Sequence, residues 1–355
     1  MLVRRRFAIV FPALLAVVLL PAGRAIAQAD TARTMPSPPA DPGDFIITPS
    51  NSATTLAPDH FAVTEQPIRI GRDDGERMTM PVEIIGGGTY DFVIDTGSQR
   101  TIIATELAAK LAMLQLPPVE IVSMAGRVTV AAVILNGLKY GDHVVERMTA
   151  LSIAQRDLGS AGIIGLDGLR DKRLTLDFRT RRMEVGTSRR APRKQESDPD
   201  TIIVEARSRL GQLILVDSRI DGKRVNVILD TGAELSVGNM ALFNRLKLKR
   251  LVIPPTPTTL TSVTGAQVPA LFTVVRNISI GTVRLGNVPM VFLDAAPFAE
   301  LDLADTPAML LGMRMLRMFD QVAIDFGSRH VDFHLKSGAA DGSSRLADAA
   351  SRSYP

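Results

Sequence analysis

Hydrophobic residues along this chain fall into short runs, broken by glycine, proline and polar clusters. The first half contains PVEII, YDFVID, VTVAAVI, TALSI and LTLDF; the second contains QLILVDSRI, NVILD, ALFTVV, MVFLD and QVAIDF. Runs of this length, rich in branched and aromatic residues and bounded by turn formers, predict β-strands. Helical periodicity is confined to brief stretches. Thr105 to Met113 and Met240 to Leu246 each follow a strand end, and Asp167 to Arg170 and Arg314 to Met318 each follow a later glycine.

The two halves repeat one another. YDFVIDTGSQRTIIATELAAKL in the first answers VNVILDTGAELSVGNMALFNRL in the second. Asp95 corresponds to Asp230, Thr101 to Ser236, Leu107 to Leu242 and Leu111 to Leu246, all at an offset of 135. Further on, Gly165 corresponds to Gly312 at an offset of 147, and Asp177-Phe178 to Asp325-Phe326 at 148. The drift is a loop-sized insertion of about a dozen residues in the second copy. A polar, proline-containing break at 187–200 separates the copies. The pattern predicts two all-β lobes, 65–186 and 201–336, related by duplication.

Both ends differ from these lobes. Arg4 to Arg6, the apolar stretch Phe7 to Ala22 and Ala25-Ile26-Ala27 form a secretory leader, 1–27, with cleavage expected between Ala27 and Gln28. The stretch is short for a bilayer span and carries Pro12 and Pro21, and no later segment is long and apolar enough, so no stable membrane span is expected after cleavage. Export is expected to carry the protein to the periplasm. Residues 28–64 have the composition of a disordered linker or pro-segment, and 337–355 that of a disordered tail.

Charge and composition narrow the classes further. The net charge of +4 comes from the leader: without its four arginines, 37 basic residues face 37 acidic ones. Nucleic-acid binding therefore lacks global electrostatic support, and the absence of Trp with only 3 Tyr leaves little for base stacking. With no cysteine, disulfides, thiolate metal sites and thiol nucleophiles are excluded. Seven basic residues between Arg179 and Lys194 read as a solvated hairpin and linker.

Candidate chemistry sits at the repeated tripeptide, Asp95-Thr96-Gly97 and Asp230-Thr231-Gly232. Each follows an apolar strand and is followed by a small residue, Ser98 or Ala233, and then by a hydroxyl, Thr101 or Ser236. A carboxylate at the end of a buried strand is partly desolvated. Two brought together cannot both ionise readily, so they share a proton and their titrations separate. One then serves as general base on water and the other as general acid towards a carbonyl. Glycine allows close backbone approach, and the threonine hydroxyl can lock the turn. Asp167, Asp177 and Asp325 lack this context and read as turn or strand-end residues. Gly162, Gly165 and Gly168 lack the spacing of a nucleotide loop. His330 and His334 lie on a strand, about 13 Å apart, and no metal site is expected.

With both copies laid out, the sequence resembles the retropepsin-like aspartic proteases, in a form with two lobes on one chain. Apolar-apolar-Asp-Thr-Gly-[Ser/Ala]-x-x-[Thr/Ser] is that family's signature, and Ile163-Ile164-Gly165 and Leu310-Leu311-Gly312 fit its later apolar-apolar-Gly. The resemblance implies two pepsin-like β-barrel lobes with a cleft between them and Asp95 and Asp230 as a catalytic dyad. It makes Thr96 and Thr231 interlocking hydroxyls, Gly97 and Gly232 close-approach glycines, and Gly165 and Gly312 the segments crossing beneath the catalytic loops. It places mobile flaps at Ser123, Met124, Ala125 and Gly126 and at Val263, Thr264, Gly265 and Ala266. Neither flap has the tyrosine of the two-lobed pepsins, which makes the chain look like a fused retropepsin dimer. The activity implied is aspartic endopeptidase action on a peptide or protein substrate, without a cofactor, by a monomer. The competing class is a non-catalytic peptide-binding module on the same fold.

Overall fold

The computed structural model describes residues 78–189, 200–246 and 251–336, and the backbone of three short strands upstream, Ile47–Pro49, Ile68–Arg69 and Gly71–Arg72. The expected leader and tail lie outside the described residues, as do 190–199 of the linker and most of 28–64. The strand Ile47–Pro49, inside the stretch read as linker or pro-segment, pairs with Val283–Phe292 of the second half.

In the first half, eight strands form one sheet, in the order Gly71–Arg72, Met78–Ile84, Gly88–Ile94, Gly162–Ile164, Ile102–Ala104, His143–Ile153, Gly126–Tyr140 and Gln115–Ser123. Met78–Ile84 also pairs with Gly126–Tyr140, closing the sheet on itself. Closure follows from alternation: Met80, Val82 and Ile84 point into the core while Pro81 and Glu83 face outward. Each fully buried aliphatic side chain contributes about 1.5–3 kcal/mol relative to exposure.

The second half repeats the arrangement, and in both a short strand is inserted between the strands that flank the Asp-Thr-Gly turn. Gly162–Ile164 runs parallel to Gly88–Ile94 and antiparallel to Ile102–Ala104. Ala308–Leu311 does the same between Asn226–Leu229 and Ser236–Gly238.

A further sheet joins the halves. Lys172–Asp177 and Arg182–Thr187 of the first half lie beside Gln321–Asp325, His330–His334 and Thr201–Arg209 of the second. Thr175 and Ala323, which correspond at an offset of 148, face each other at the centre of the pairing between lobes. The pseudo-twofold relation of the two copies passes through that point.

Several elements differ from the sequence expectation. The helix at Thr105 ends at Lys110, because Ala112 takes a positive φ of 47°. QLILVDSRI divides into Gln212–Leu215 and Ser218–Ile220 at Asp217, where φ is 59°. Two single-turn helices, Gln155–Leu158 and Ala296–Glu300, are too short to show a 3.6-residue period. Two long strands, Gln115–Ser123 and Leu251–Thr261, were hidden by their prolines. Each prolines' neighbourhood carries a register shift, at Leu116/Val119 and at Ile253/Thr256, which is how edge strands accommodate residues without an N–H. Among the described residues no helix is long and apolar enough to cross a membrane.

Candidate active site

The strands Gly88–Ile94 and Asn226–Leu229 deliver Asp95 and Asp230 to one place between the lobes. The cause is a reciprocal set of bonds made by the neighbouring threonines. Thr96 N–H donates to Thr231 Oγ1 at 3.0 Å, and Thr231 N–H to Thr96 Oγ1 at 3.1 Å. The hydroxyls in turn donate across the pseudo-twofold, Thr96 to the Leu229 carbonyl at 2.9 Å and Thr231 to the Ile94 carbonyl at 2.7 Å. All four bonds are buried, so each holds its full value against loss.

Each carboxyl is held in the same way by its own turn. Asp95 Oδ1 accepts from Gly97 N–H at 2.8 Å and Ser98 N–H at 3.0 Å. Asp230 Oδ1 accepts from Gly232 N–H at 3.0 Å and Ala233 N–H at 3.1 Å. A Cβ added at Gly232 would lie 2.3–2.5 Å from the carboxyl atoms of Asp95, so that glycine is required by close approach between the lobes.

Electrostatics separate the two groups. Burial pushes the Asp230 carboxyl well above the usual carboxylate range, and the charge of Asp95 raises it further, against the two amides that favour its ionised form. Asp230 Oδ2 is buried and receives no hydrogen bond from the described residues, and the neighbouring charge is that of Asp95. Two carboxyls buried together disfavour each other's charge, which favours one proton shared between them.

The later glycines support both turns from below. The inserted strands accept the aspartates' own amides: Asp95 N–H donates to the Ile164 carbonyl at 3.0 Å, and Asp230 N–H to the Leu311 carbonyl at 3.1 Å. Gly165 N–H reaches Thr101 Oγ1 at 3.3 Å, and Gly312 N–H reaches Ser236 Oγ at 3.2 Å. A Cβ at Gly165 would meet the Arg100 backbone at 2.5 Å, and one at Gly312 the Leu235 carbonyl oxygen at 2.6 Å. Gly162 and Gly168 are packing glycines as well, against Phe92 and Ile164.

The two candidate flap segments form hairpin tips, and each reaches the opposite lobe. Ser123 and Gly126 pair across a turn made by Met124 and Ala125, with Gly126 at a φ of 112°. Met124 is buried and packs in an apolar cluster whose other buried members, among them Ala233 and Phe298, belong to the second lobe. Arg127 beside it bonds Glu300 at 3.1 Å. In the second hairpin Val263 is fully buried, Thr264 Oγ1 bonds Ser262 Oγ at 2.8 Å, and Ala266 accepts the Ser262 N–H at 2.8 Å through its carbonyl. Gly265 lies against Asp157 of the first lobe, where a Cβ would come within 2.9 Å of the carboxylate.

Two carboxylates read as simple turn or strand-end residues do more than that. Asp167 accepts from both the N–H and the hydroxyl of Thr101, at 2.9 and 2.7 Å, and so fixes the hydroxyl beneath Gly165. Asp325 is fully buried and accepts from Ser188 Oγ at 2.6 Å and Arg189 N–H at 2.8 Å, fastening the start of the inter-lobe linker. Asp177 is a turn residue as expected, accepting the Thr180 N–H at 2.7 Å. His330 and His334 lie on one strand and bond Ser328 and Thr201. Gln212, unremarked in the sequence, is fully buried and crosses from the second lobe to donate to the Gly97 carbonyl at 2.7 Å. A single polar residue opening a strand gives no sequence signal of that role.

The crystal structure of Basic 7S globulin from soybean is similar at 11% identity and a TM-score of 0.42, over 78% of this chain and 96% of that one. A retropepsin-like aspartic protease from Rickettsia conorii is similar at 20% identity and a TM-score of 0.25, over 38% of this chain and 89% of that one. No curated protein matches the chain. The sequence model of the aspartyl proteases matches residues 80–167 and 216–315, one region in each lobe and together more than half of the chain. The chain therefore belongs to the aspartyl protease family, with one matching region in each of its two lobes.

Proposed function

We propose that the protein is an exported aspartic endopeptidase that cleaves peptide bonds with water activated between Asp95 and Asp230. The observation that carries this reading is the meeting of two buried carboxyls between the lobes, held there by the reciprocal threonine bonds, with burial and the Asp95 charge raising Asp230. Asp95, bonded by two amides, acts as general base and takes a proton from the attacking water. Asp230 gives its proton to the carbonyl oxygen of the scissile bond. The tetrahedral intermediate then collapses as the amide nitrogen receives a proton from the pair and the C–N bond breaks. No step calls for a cofactor.

The hairpins at Met124 and Gly265 act as flaps that open to admit an extended peptide and close over it. One chain supplies both carboxyls, so a monomer suffices, and specific activity should hold over a roughly hundred-fold dilution monitored by light scattering. Export rests on the leader composition of 1–27; N-terminal sequencing of periplasmic material should find Gln28 first. The activity is tested with a peptide library incubated across pH. Internal cleavage on the acidic side, blocked by pepstatin and unaffected by EDTA, supports the reading; no cleavage at any pH, or cleavage abolished by EDTA, contradicts it.

A further inference from the structure

The active-site turns repeat each other closely, but one contact is made to the first turn alone among the described residues. Gln212 opens the strand Gln212–Leu215 of the second lobe. Its Nε2 donates to the carbonyl of Gly97 in the first lobe at 2.7 Å. The register Ile214↔Ile228 in the second lobe and Thr79↔Val93 in the first makes Arg77 its counterpart, which lies outside the described residues. No described side chain bonds the Gly232 carbonyl.

The contact lies in line with the catalytic carboxyl. The Gly97 carbonyl and the Ser98 N–H belong to one peptide unit, and that N–H donates to Asp95 Oδ1 at 3.0 Å. A hydrogen bond accepted by a peptide carbonyl polarises the unit and strengthens its N–H as a donor. The chain Gln212 Nε2–H to Gly97 C=O, then Ser98 N–H to Asp95 Oδ1, therefore favours the charged form of Asp95. The carboxamide has no competing bond: its Oε1 is buried without a partner, and so is Nε2 of nearby Gln99. Because the Gly97 carbonyl can only accept, the nitrogen of Gln212 must face it.

The other charged groups around the turn are engaged elsewhere. Arg100, on the same loop, has its charge near enough to Asp167 of the helix Leu166–Leu169 to favour that carboxylate, and its Nε is buried without a hydrogen-bond partner. Glu234, at the place of Gln99 in the second lobe, is bonded by Arg317 at 3.0 Å. Asp230 remains as the titrating group whose charge acts on Asp95.

The geometry points to Gln212 as a positioning residue that makes the pair unequal: reaching across from the second lobe, it stabilises the negative charge on Asp95 and so assigns the base role to Asp95 and the acid role to Asp230. This rests on the two-aspartate reading above. It also explains how a duplicated site, with near-identical turns, avoids an even division of the proton.

The test is the steady-state pH profile of Gln212→Met, which keeps the length and bulk of the side chain and removes the donor. The expected result is a fall in kcat of about tenfold with KM within about twofold, and an acid limb moved to higher pH, because Asp95 ionises less readily. A residue that merely supports the fold lowers the melting temperature without moving that limb. Gln212→Asn keeps the carboxamide but draws it back by one methylene, and is read the same way should Gln212→Met not fold. An acid limb that coincides with wild type in the folded variant overturns the inference. Asp95→Asn and Asp230→Asn run alongside. If either keeps wild-type activity, the two-aspartate reading itself fails; if both are inactive and the Gln212 profile is unmoved, only the role of Gln212 is wrong.

Discussion

Thr96 and Thr231 each accept the other's backbone N–H through the side-chain oxygen, at 3.1 and 3.0 Å, and each donates its hydroxyl to the carbonyl that precedes the other's aspartate. One residue type at one position of the repeat thus closes the interface between the lobes and sets the distance between the two carboxyls.

Replacing either hydroxyl by methyl should therefore damage stability and activity together. Thr96→Val or Thr231→Val removes one donor and one acceptor and leaves a buried amide and a buried carbonyl unpaired, at a cost of about 2–4 kcal/mol. Thr→Ser at either place keeps both bonds and should stay near wild type. The double valine variant should cost less than the sum of the singles, since both break one network. Denaturant unfolding and peptide cleavage on the same preparations check all three statements.

Gly165 and Gly312 predict a matched pair of losses. A methyl at either would stand 2.5–2.6 Å from backbone atoms of the active-site turn of its own lobe, at Arg100 or Leu235. That backbone cannot retreat without moving Asp95 or Asp230. Gly165→Ala and Gly312→Ala should each lose about 3 kcal/mol or more of stability and most activity, measured by urea unfolding and peptidase assay.

Stability should carry opposite pH signatures from two aspartates. Burial raises Asp230, so the native state binds this proton more tightly than the unfolded chain does; stability is greatest at low pH and falls as pH rises from the ordinary carboxylate range towards the raised value. Asp230→Asn should flatten that fall and make the protein more stable than wild type at neutral pH, by about 2–4 °C in melting temperature for each kcal/mol gained. For Asp325, burial acts to raise the carboxyl, but hydrogen bonds from Ser188, Ser328 and Arg189 outweigh it and hold it below the usual range. It stabilises above that range and its contribution is lost as pH falls, so Asp325→Asn should remove part of the acid-side loss. Urea unfolding at a series of pH values separates the two.

Closure of the first hairpin depends more on Met124 than on the ion pair beside it. Arg127 is half-exposed, so its bond to Glu300 is worth roughly 1 kcal/mol or less, whereas truncating a buried methionine costs about 2 kcal/mol or more. Met124→Ala should speed trypsin cleavage after Arg127 by about thirtyfold where opening is fast, and Glu300→Gln by less than about fivefold. Equal effects would mean that the tip does not dock in the second lobe.

What the sequence revealed follows from what duplication writes twice. Asp95 with Asp230 and Thr101 with Ser236 recur at an offset of 135, and Gly165 with Gly312 at 147, and the structure brings each pair to equivalent places in the two lobes. Features present once were not legible. Gln212 reaches the Gly97 carbonyl through tertiary packing, and Asp167 holds Thr101 from 66 residues away. The long hairpin strands were obscured because Pro117, Pro118, Pro254 and Pro255 break the alternation that marks a strand, while the register shifts that tolerate them exist only in the paired structure.

The central claim, that one shared proton between Asp95 and Asp230 performs the hydrolysis, is tested most directly by cleavage of a peptide substrate by the two single variants Asp95→Asn and Asp230→Asn, each first shown to be folded. The account predicts that each loses more than about a hundredfold in kcat at every pH, since neither a base without its acid nor an acid without its base can turn over. A folded Asp95→Asn or Asp230→Asn protein that cleaves the peptide at near wild-type rate would contradict it.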